Sequence, residues 1–272
     1  MASPEGKLAI NLATLRNGWT FAEMIEGCAR HGIHHVAPWR DMIAEVGLPE
    51  ARRILEANGM QVTGYCRGGM FTSDGAMEDN ARALGEAVAL GAQSLVLVVG
   101  ALPPGSRDLA AARQMVADGI AAVLPHARAA GLALAIEPLH PMYAADRAVI
   151  NTIDQALDLC AELGEGAGIA IDTYPCWWDP GLEAAIARAG HEGRILAHHI
   201  SDWLNPTKDM LLDRGMMGDG VLDFRGFRTM IEAAGYFGPQ EVEIFSRDDW
   251  WKRPGDEVLR TCVERFEQYC QP

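Results

Sequence analysis

Apolar and polar positions change rhythm repeatedly along the chain, and the changes divide it into elements. Short, nearly continuous apolar runs occupy residues 8–13 (LAINLA), 34–38 (HHVAP), 61–66 (QVTGYC), 94–100 (SLVLVVG), 132–137 (LALAIE), 168–172 (GIAID), 195–200 (ILAHHI) and 240–245 (QEVEIF). Such runs read as strands of a parallel sheet covered on both faces, where apolar/polar alternation is lost. Helix-length stretches separate them at residues 20–31, 48–58, 108–130, 152–163, 182–189, 224–234 and 254–269. The first opens on Thr20 with Glu23 three positions on, a reciprocal capping pattern, and stops at Gly32. Pro49 lies in the first turn of the second, and Gly131, Gly190 and Gly235 close later ones.

Eight strand–helix units in about 250 residues match the size of a closed (β/α)8 barrel of the TIM type. A doubly wound open sheet has the same alternation, but residues 13–19 (ATLRNGW), the first turn after a strand, carry no G-x-G-x-x-G fingerprint. No linker, low-complexity tract or internal repeat interrupts the pattern, which predicts one barrel domain over residues 1–272.

Composition narrows the function. Lys and Arg number 23 against 37 Asp and Glu, a net charge of −14, and no basic run interrupts the acidity. Such a surface repels phosphate backbones and speaks against a nucleic-acid binder. Six scattered cysteines without a C-x-x-C pair fit neither a zinc ribbon nor a secreted disulfide framework. The N-terminus (MASPEGKLAINLATL) lacks a basic segment followed by an apolar stretch and cleavage site. The longest apolar runs, such as residues 94–100, fall far short of the roughly 20 residues a membrane helix needs. A soluble, cytoplasmic protein without membrane or nucleic-acid partners is the expectation.

In a barrel of this kind the active site sits at the carboxyl ends of the strands. The first four runs end in little that ionises, apart from Arg40 and Arg67 just beyond, whereas the last four end in Glu137, Asp172, His199 and Glu243. Three carboxylates with one imidazole make a hard, oxygen-rich set suited to Mn²⁺, Mg²⁺ or Co²⁺. A lone strand-end carboxylate is as readily a structural hydrogen-bonding group, but four in successive strands would be costly to bury without a cation. Period-two alternation puts Ile195, Ala197, His199 and Ser201 on one face of the seventh run, with Leu196, His198 and Ile200 on the other. The first set, smaller and more polar, suits the lumen, which selects His199 as ligand and leaves His198 as a core histidine or one that supports the ligands from behind. Glu241 shares the face of Glu243 but lies a layer deeper. His34 and His35 read as packing histidines.

The segments IEPLHP, IDTY, HHISDW, RGMMGDG and VEIF together resemble the xylose isomerase-like superfamily, in its sugar phosphate isomerase/epimerase branch. That branch holds ketose 3-epimerases, hydroxypyruvate isomerases and inosose dehydratases. The resemblance implies a TIM-type barrel with one divalent metal ion, Mn²⁺ first and Mg²⁺ or Co²⁺ next, held by Glu137, Asp172, His199 and Glu243. It implies a sugar or keto-sugar substrate, with Glu137 and Glu243 as an acid/base pair that moves the proton beside the carbonyl through a cis-enediolate. It places Arg214, ahead of a G-x-G turn, on a substrate hydroxyl or phosphate, and members are often dimers or tetramers. One position departs from the pattern: Pro175 stands where ketose 3-epimerases carry a substrate-contacting histidine, which points to a differently shaped substrate or a less active member.

Around this frame, residues 203–217 form an extended loop that would act as a lid carrying Lys208 and Arg214. Trp178, with Trp177, Trp250 and Trp251, would stack on a sugar face or pack loops and subunits. His140 and Tyr143 would line the pocket or orient Glu137. The leading expectation is a metal-dependent isomerase or epimerase. The same enolate expelling a β-substituent would make a lyase of a keto-sugar, inosose or 3-keto-glycoside, and a metal-free sugar-binding barrel is the non-catalytic alternative. An abasic-site endonuclease, also found on this barrel, would need further histidines on strands two and three and a basic groove; the third run, QVTGYCRGG, offers no histidine.

Overall fold

A computed structural model describes residues 7–16 and 18–271. The expected lack of a leader bears partly on residues 1–6, which lie outside that range. All eight apolar runs form strands: β1 Leu8–Asn11, β2 His35–Ala37, β3 in two pieces, Gln61–Val62 and Tyr65–Gly69, β4 Ser94–Val98, β5 Ala133–Ile136, β6 Ala167–Asp172, β7 Ile195–Ile200 and β8 Gln240–Val242. Neighbours pair in parallel, and β8 pairs with β1. The ring closes through β3, whose first piece pairs with β2 and whose second pairs with β4 and bridges Cys66 to Trp39. The result is the expected (β/α)8 barrel.

The predicted helices form close to their expected limits, and the Thr20–Glu23 capping box is made on both sides. Two further helices of more than one turn, Arg40–Val46 and Ala76–Ala89, and the single turn Thr173–Cys176 were not legible from the pattern. The first run also ends early: Asn11 caps a 3-10 turn, Leu12–Leu15, by accepting from the Ala13 N–H. No helix among the described residues is long and apolar enough to cross a membrane. All six cysteines are free and buried.

The apolar interior has two layers. A large outer layer packs strands against helices, while a small cluster of Cys66, Val96, Ala135, Ala170 and Ala197 fills the lumen beside Trp39 and Leu196. Small lumen side chains leave space above them for larger polar ones. One face assignment needs correction. The β6–β7 register slips between Ile169/Ile195 and Ala170/Ala197, so Leu196 joins the lumen cluster and Ile195 the outer layer. The extra residue is a β-bulge, which reverses alternation below it and leaves Ala197 and His199 inward as expected. Gly168 accommodates the bulge, since a Cβ there would sit 2.5 Å from the Arg194 carbonyl oxygen and 2.7 Å from Leu196.

Candidate metal centre

Strand ends bring Glu137, Asp172, His199 and Glu243 together at the carboxyl mouth of the barrel, all four buried. One ligand atom from each lies within 4.8 Å of the others. Oxygen donors opposite one another on an octahedral Mg²⁺ stand roughly 4.2 Å apart at bond lengths of about 2.1 Å, so the spread is of the right size to close on a cation. The donor chemistry fits as well, because three buried carboxylates and an imidazole require positive charge among them.

Positive charge now comes from two side chains. Arg214 donates through Nη1 to Asp172 Oδ2 at 3.0 Å and to Glu243 Oε2 at 2.9 Å. Its guanidinium lies between the rings of Tyr174 and Phe245. His199 Nδ1 lies 3.0 Å from Glu137 Oε1, and its Nε2 lies 3.5 Å from Glu241 Oε1. Burial works against a charge on His199, but Glu241 and Glu137 outweigh it and raise its pKa well above the ordinary value. Burial likewise raises Asp172, and pushes Glu243 up to about 8 against the pull of Arg214. A donor set so crowded and buried opposes full ionisation until a cation enters, which is the sense of the upward shifts at Asp172 and Glu243.

Several supporting residues escaped the sequence reading. Asn11 donates to Glu241 at 2.8 Å and Glu243 at 2.9 Å, and accepts from the Trp39 indole at 2.6 Å. Thr63 donates to the other oxygen of Glu241 at 2.9 Å. Glu241 is thereby held beneath the imidazole, where it can fix which ring nitrogen is free to ligate. The available signal was Asn11 itself, an amide inside an apolar run. Asp202 was also missed: its carboxylate accepts from four backbone N–H groups, those of Trp203, Gly218, Gly220 and Leu222. This clamp secures the turn that follows Arg214, and a side chain on Gly220 would bring Cβ within 2.1 Å of the Trp203 carbonyl oxygen.

The loop between Trp203 and Arg214 is closed at its base by a short antiparallel ladder, Asp202–Trp203 with Arg214–Gly215. It contributes Leu211 to a cavity of about 120 Å³ over the metal-capable cluster. Glu137, Glu243 and Arg214 line this cavity with Tyr143, Tyr174 and Pro175. The position of Pro175, singled out as the departure from the family pattern, therefore faces the cavity. A wider cleft of about 660 Å³ shares Trp39, Arg67, Leu211 and Phe245 with it and opens outward past Trp251. The structure does not bring Lys208, His140 or Trp178 into either lining. Lys208 is exposed, its backbone N–H bound by Asp213. His140 packs edge-on to Trp178, whose indole donates to the Pro175 carbonyl. Trp250 is buried and bonds Asp219.

A family model described as a xylose isomerase-like TIM barrel matches residues 13–267. Among solved structures, protein SMc04130 from Sinorhizobium meliloti 1021 is 62% identical, with a TM-score of 0.96 over 98% of this chain and 99% of that one. The IolI protein with a binding zinc atom is 16% identical, with a TM-score of 0.82 over 97% and 98%. D-allulose 3-epimerase from Methylomonas sp. in complex with D-allulose is 19% identical, with a TM-score of 0.76 over 99% of each chain. The comparison with curated proteins finds no match.

Proposed function

The chain belongs to the xylose isomerase-like TIM barrel family, and on that basis we propose that it is a divalent-metal-dependent isomerase or epimerase of a keto-sugar. The observation that carries this reading is the meeting of four buried donors, Glu137, Asp172, His199 and Glu243, beneath a cavity lined by Trp39, Tyr143, Tyr174, Arg214 and Phe245. A divalent cation held by those four, Mn²⁺ for preference, would polarise a substrate carbonyl and acidify the neighbouring C–H.

The chain's own groups supply the rest. Glu137 and Glu243 both reach the cavity, so one carboxylate can take the proton from the carbon beside the carbonyl while the C–H electron pair passes into an enediolate. Return of a proton from the other carboxylate to the opposite face inverts that carbon; return to the neighbouring carbon moves the carbonyl. Arg214, positioned by its bonds to Asp172 and Glu243, would stabilise negative charge developing on oxygen. The hydroxyls of Tyr143 and Tyr174 line the same cavity, buried and without a hydrogen-bond partner, ready for substrate hydroxyls. Trp39, Leu139 and Phe245 exclude water. The six buried free cysteines support a reducing, cytoplasmic setting.

Pro175 in the cavity wall keeps a second reading in play. With no side-chain donor there to hold the substrate for proton return to carbon, the same enediolate can expel a β-hydroxyl or glycosidic oxygen, which takes the proton held by Glu137 or Glu243 and leaves as water or an alcohol, making the protein a lyase. One experiment tests both. Metal-reconstituted protein is incubated in D₂O with a panel of ketoses, inososes and 3-keto-glycosides. Deuterium beside the carbonyl with a saturated product supports the isomerase or epimerase, and an unsaturated product absorbing in the ultraviolet assigns the lyase. Neither incorporation nor an unsaturated product from any member of the panel overturns both.

A further inference from the structure

The arginines around the mouth differ in one respect that the proton chemistry leaves unused. Arg16 is paired with Asp41, Arg40 with Asp79 and Glu86, and Arg214 with Asp172 and Glu243. Arg67, on β3, lines both the cavity and the outer cleft yet makes no hydrogen bond or ion pair among the described residues. Arg147, from the segment after β5, lines the same cavity. Among the described residues its one carboxylate contact is a 3.7 Å approach to the neighbouring, exposed Asp146, and its Nε is buried without a hydrogen-bond partner. The charge of Arg147 reaches Arg67: burial and that charge together pull Arg67 below its ordinary pKa.

Two half-buried like charges in one cavity wall oppose folding unless something negative joins them. Glu137 and Asp79 attract Arg67 only from a distance and less strongly than burial and Arg147 oppose it, and no carboxylate is free to pair with it in the cavity, because Glu137 is engaged by His199, and Glu243 by Arg214 and Asn11. Neutral hydroxyls do not need this pair either, since tyrosine hydroxyls are available for them. Planar guanidinium forks are matched in charge and geometry to a carboxylate or a phosphate. Within a surface of net charge −14, they also give the cavity a local field that draws in an anion.

We propose that Arg67 and Arg147 form an anion subsite that holds a carboxylate or phosphate on the substrate end away from the reacting carbonyl, so that the substrate is a charged keto-sugar and not a neutral ketose. This rests on the function proposed above and specifies its substrate class. Tyr143, whose ring lies against the Arg147 guanidinium, would supply a third donor to the anion.

Three matched ligands test it: a neutral 2-ketohexose, its 6-phosphate, and the 2-keto acid in which carbon 6 is a carboxylate. Binding to metal-loaded wild type, Arg67→Met and Arg147→Met is measured by calorimetry, alongside α-proton exchange in D₂O. At least one anionic ligand should bind wild type about tenfold or more tightly than the neutral sugar, as expected for charge-assisted hydrogen bonds. That ratio should collapse towards one in Arg67→Met, and the tighter of the two anions identifies the group. Circular dichroism checks that the variants fold. Equal binding of neutral and anionic sugars by wild type, or a preference that survives both substitutions, overturns the subsite. Anion-dependent binding without exchange on any ligand keeps the subsite and removes the isomerase reading.

Discussion

His198 and His199 are adjacent on β7 and occupy opposite kinds of environment. His199 points into the barrel mouth between Glu137 and Glu241, whereas His198 is buried with both ring nitrogens unpartnered. Their titration answers in opposite directions. Flanking carboxylates raise His199 well above its ordinary value, while burial, with repulsion from His199 and Arg228, lowers His198 to about 3. Of these two buried imidazoles, only the one whose neighbours supply countercharge can hold a proton. The mouth does so and the strand–helix layer does not, although one peptide bond separates the two rings.

The strongest way to break this contrast acts on the mouth. Glu243→Gln keeps the shape and the Asn11 contact but removes the carboxylate base, so α-proton exchange should fall by about 10³-fold with the circular dichroism spectrum unchanged. Normal exchange would take Glu243 out of the chemistry. Next, His199→Ala should weaken metal binding by about 100-fold, measured against a fluorescent chelator, with exchange partly restored by excess metal. Unaltered affinity would show that the imidazole is no ligand.

The outer ring gives a smaller effect with a characteristic pH dependence. His198 stays neutral in the folded protein, so its contribution to stability is present above the ordinary histidine pKa of about 6.5 and declines as pH falls towards 3. His198→Leu should therefore leave stability at pH 8 near that of wild type and gain about 2 kcal/mol at pH 5, measured by urea unfolding. A variant that loses stability equally at both pH values would place a functional contact on His198. Finally, the raised groups of the mouth stabilise the metal-free protein at low pH and lose that effect as pH rises, through about 8 for Glu243. Metal binding must displace those protons. Calorimetry at pH 7 in buffers of different ionisation enthalpy should show release of about one proton or more per metal; a heat independent of buffer would contradict the protonated state.

Strand positions and the four-donor cluster were legible because their signals are local: an apolar run, then one ionisable residue at its end. The two longer helices that escaped notice share a physical cause. Ala76–Ala89 starts behind Gly75 in the left-handed region, and Arg40–Val46 behind Trp39, neither with a side-chain cap to announce it. Leu196 was misplaced because period-two reasoning assumes an unbroken ladder, and a bulge is invisible until the partner strand is known. Asn11 and Asp202 were overlooked for a different reason. Their roles are defined by partners more than two hundred residues away for Asn11 and up to twenty for Asp202, and neither residue type advertises metal chemistry in that setting. Arg67 reads from the sequence only as a residue just past an apolar run; that its side chain has no partner among the described residues is a property of the folded chain.

The Asp202 carboxylate, by tying down both ends of the excursion from Trp203 to Arg214, separates the barrel from what lies between. Residues 204–208 rise from that fixed base before Leu212 and Asp213 rejoin the segment after β8 at Arg247 and Ser246, so insertions there carry only the modest entropic cost of a longer loop. Selectivity for the far end of a ligand can then diversify in descendants of this scaffold while the reactive groups beneath keep their positions.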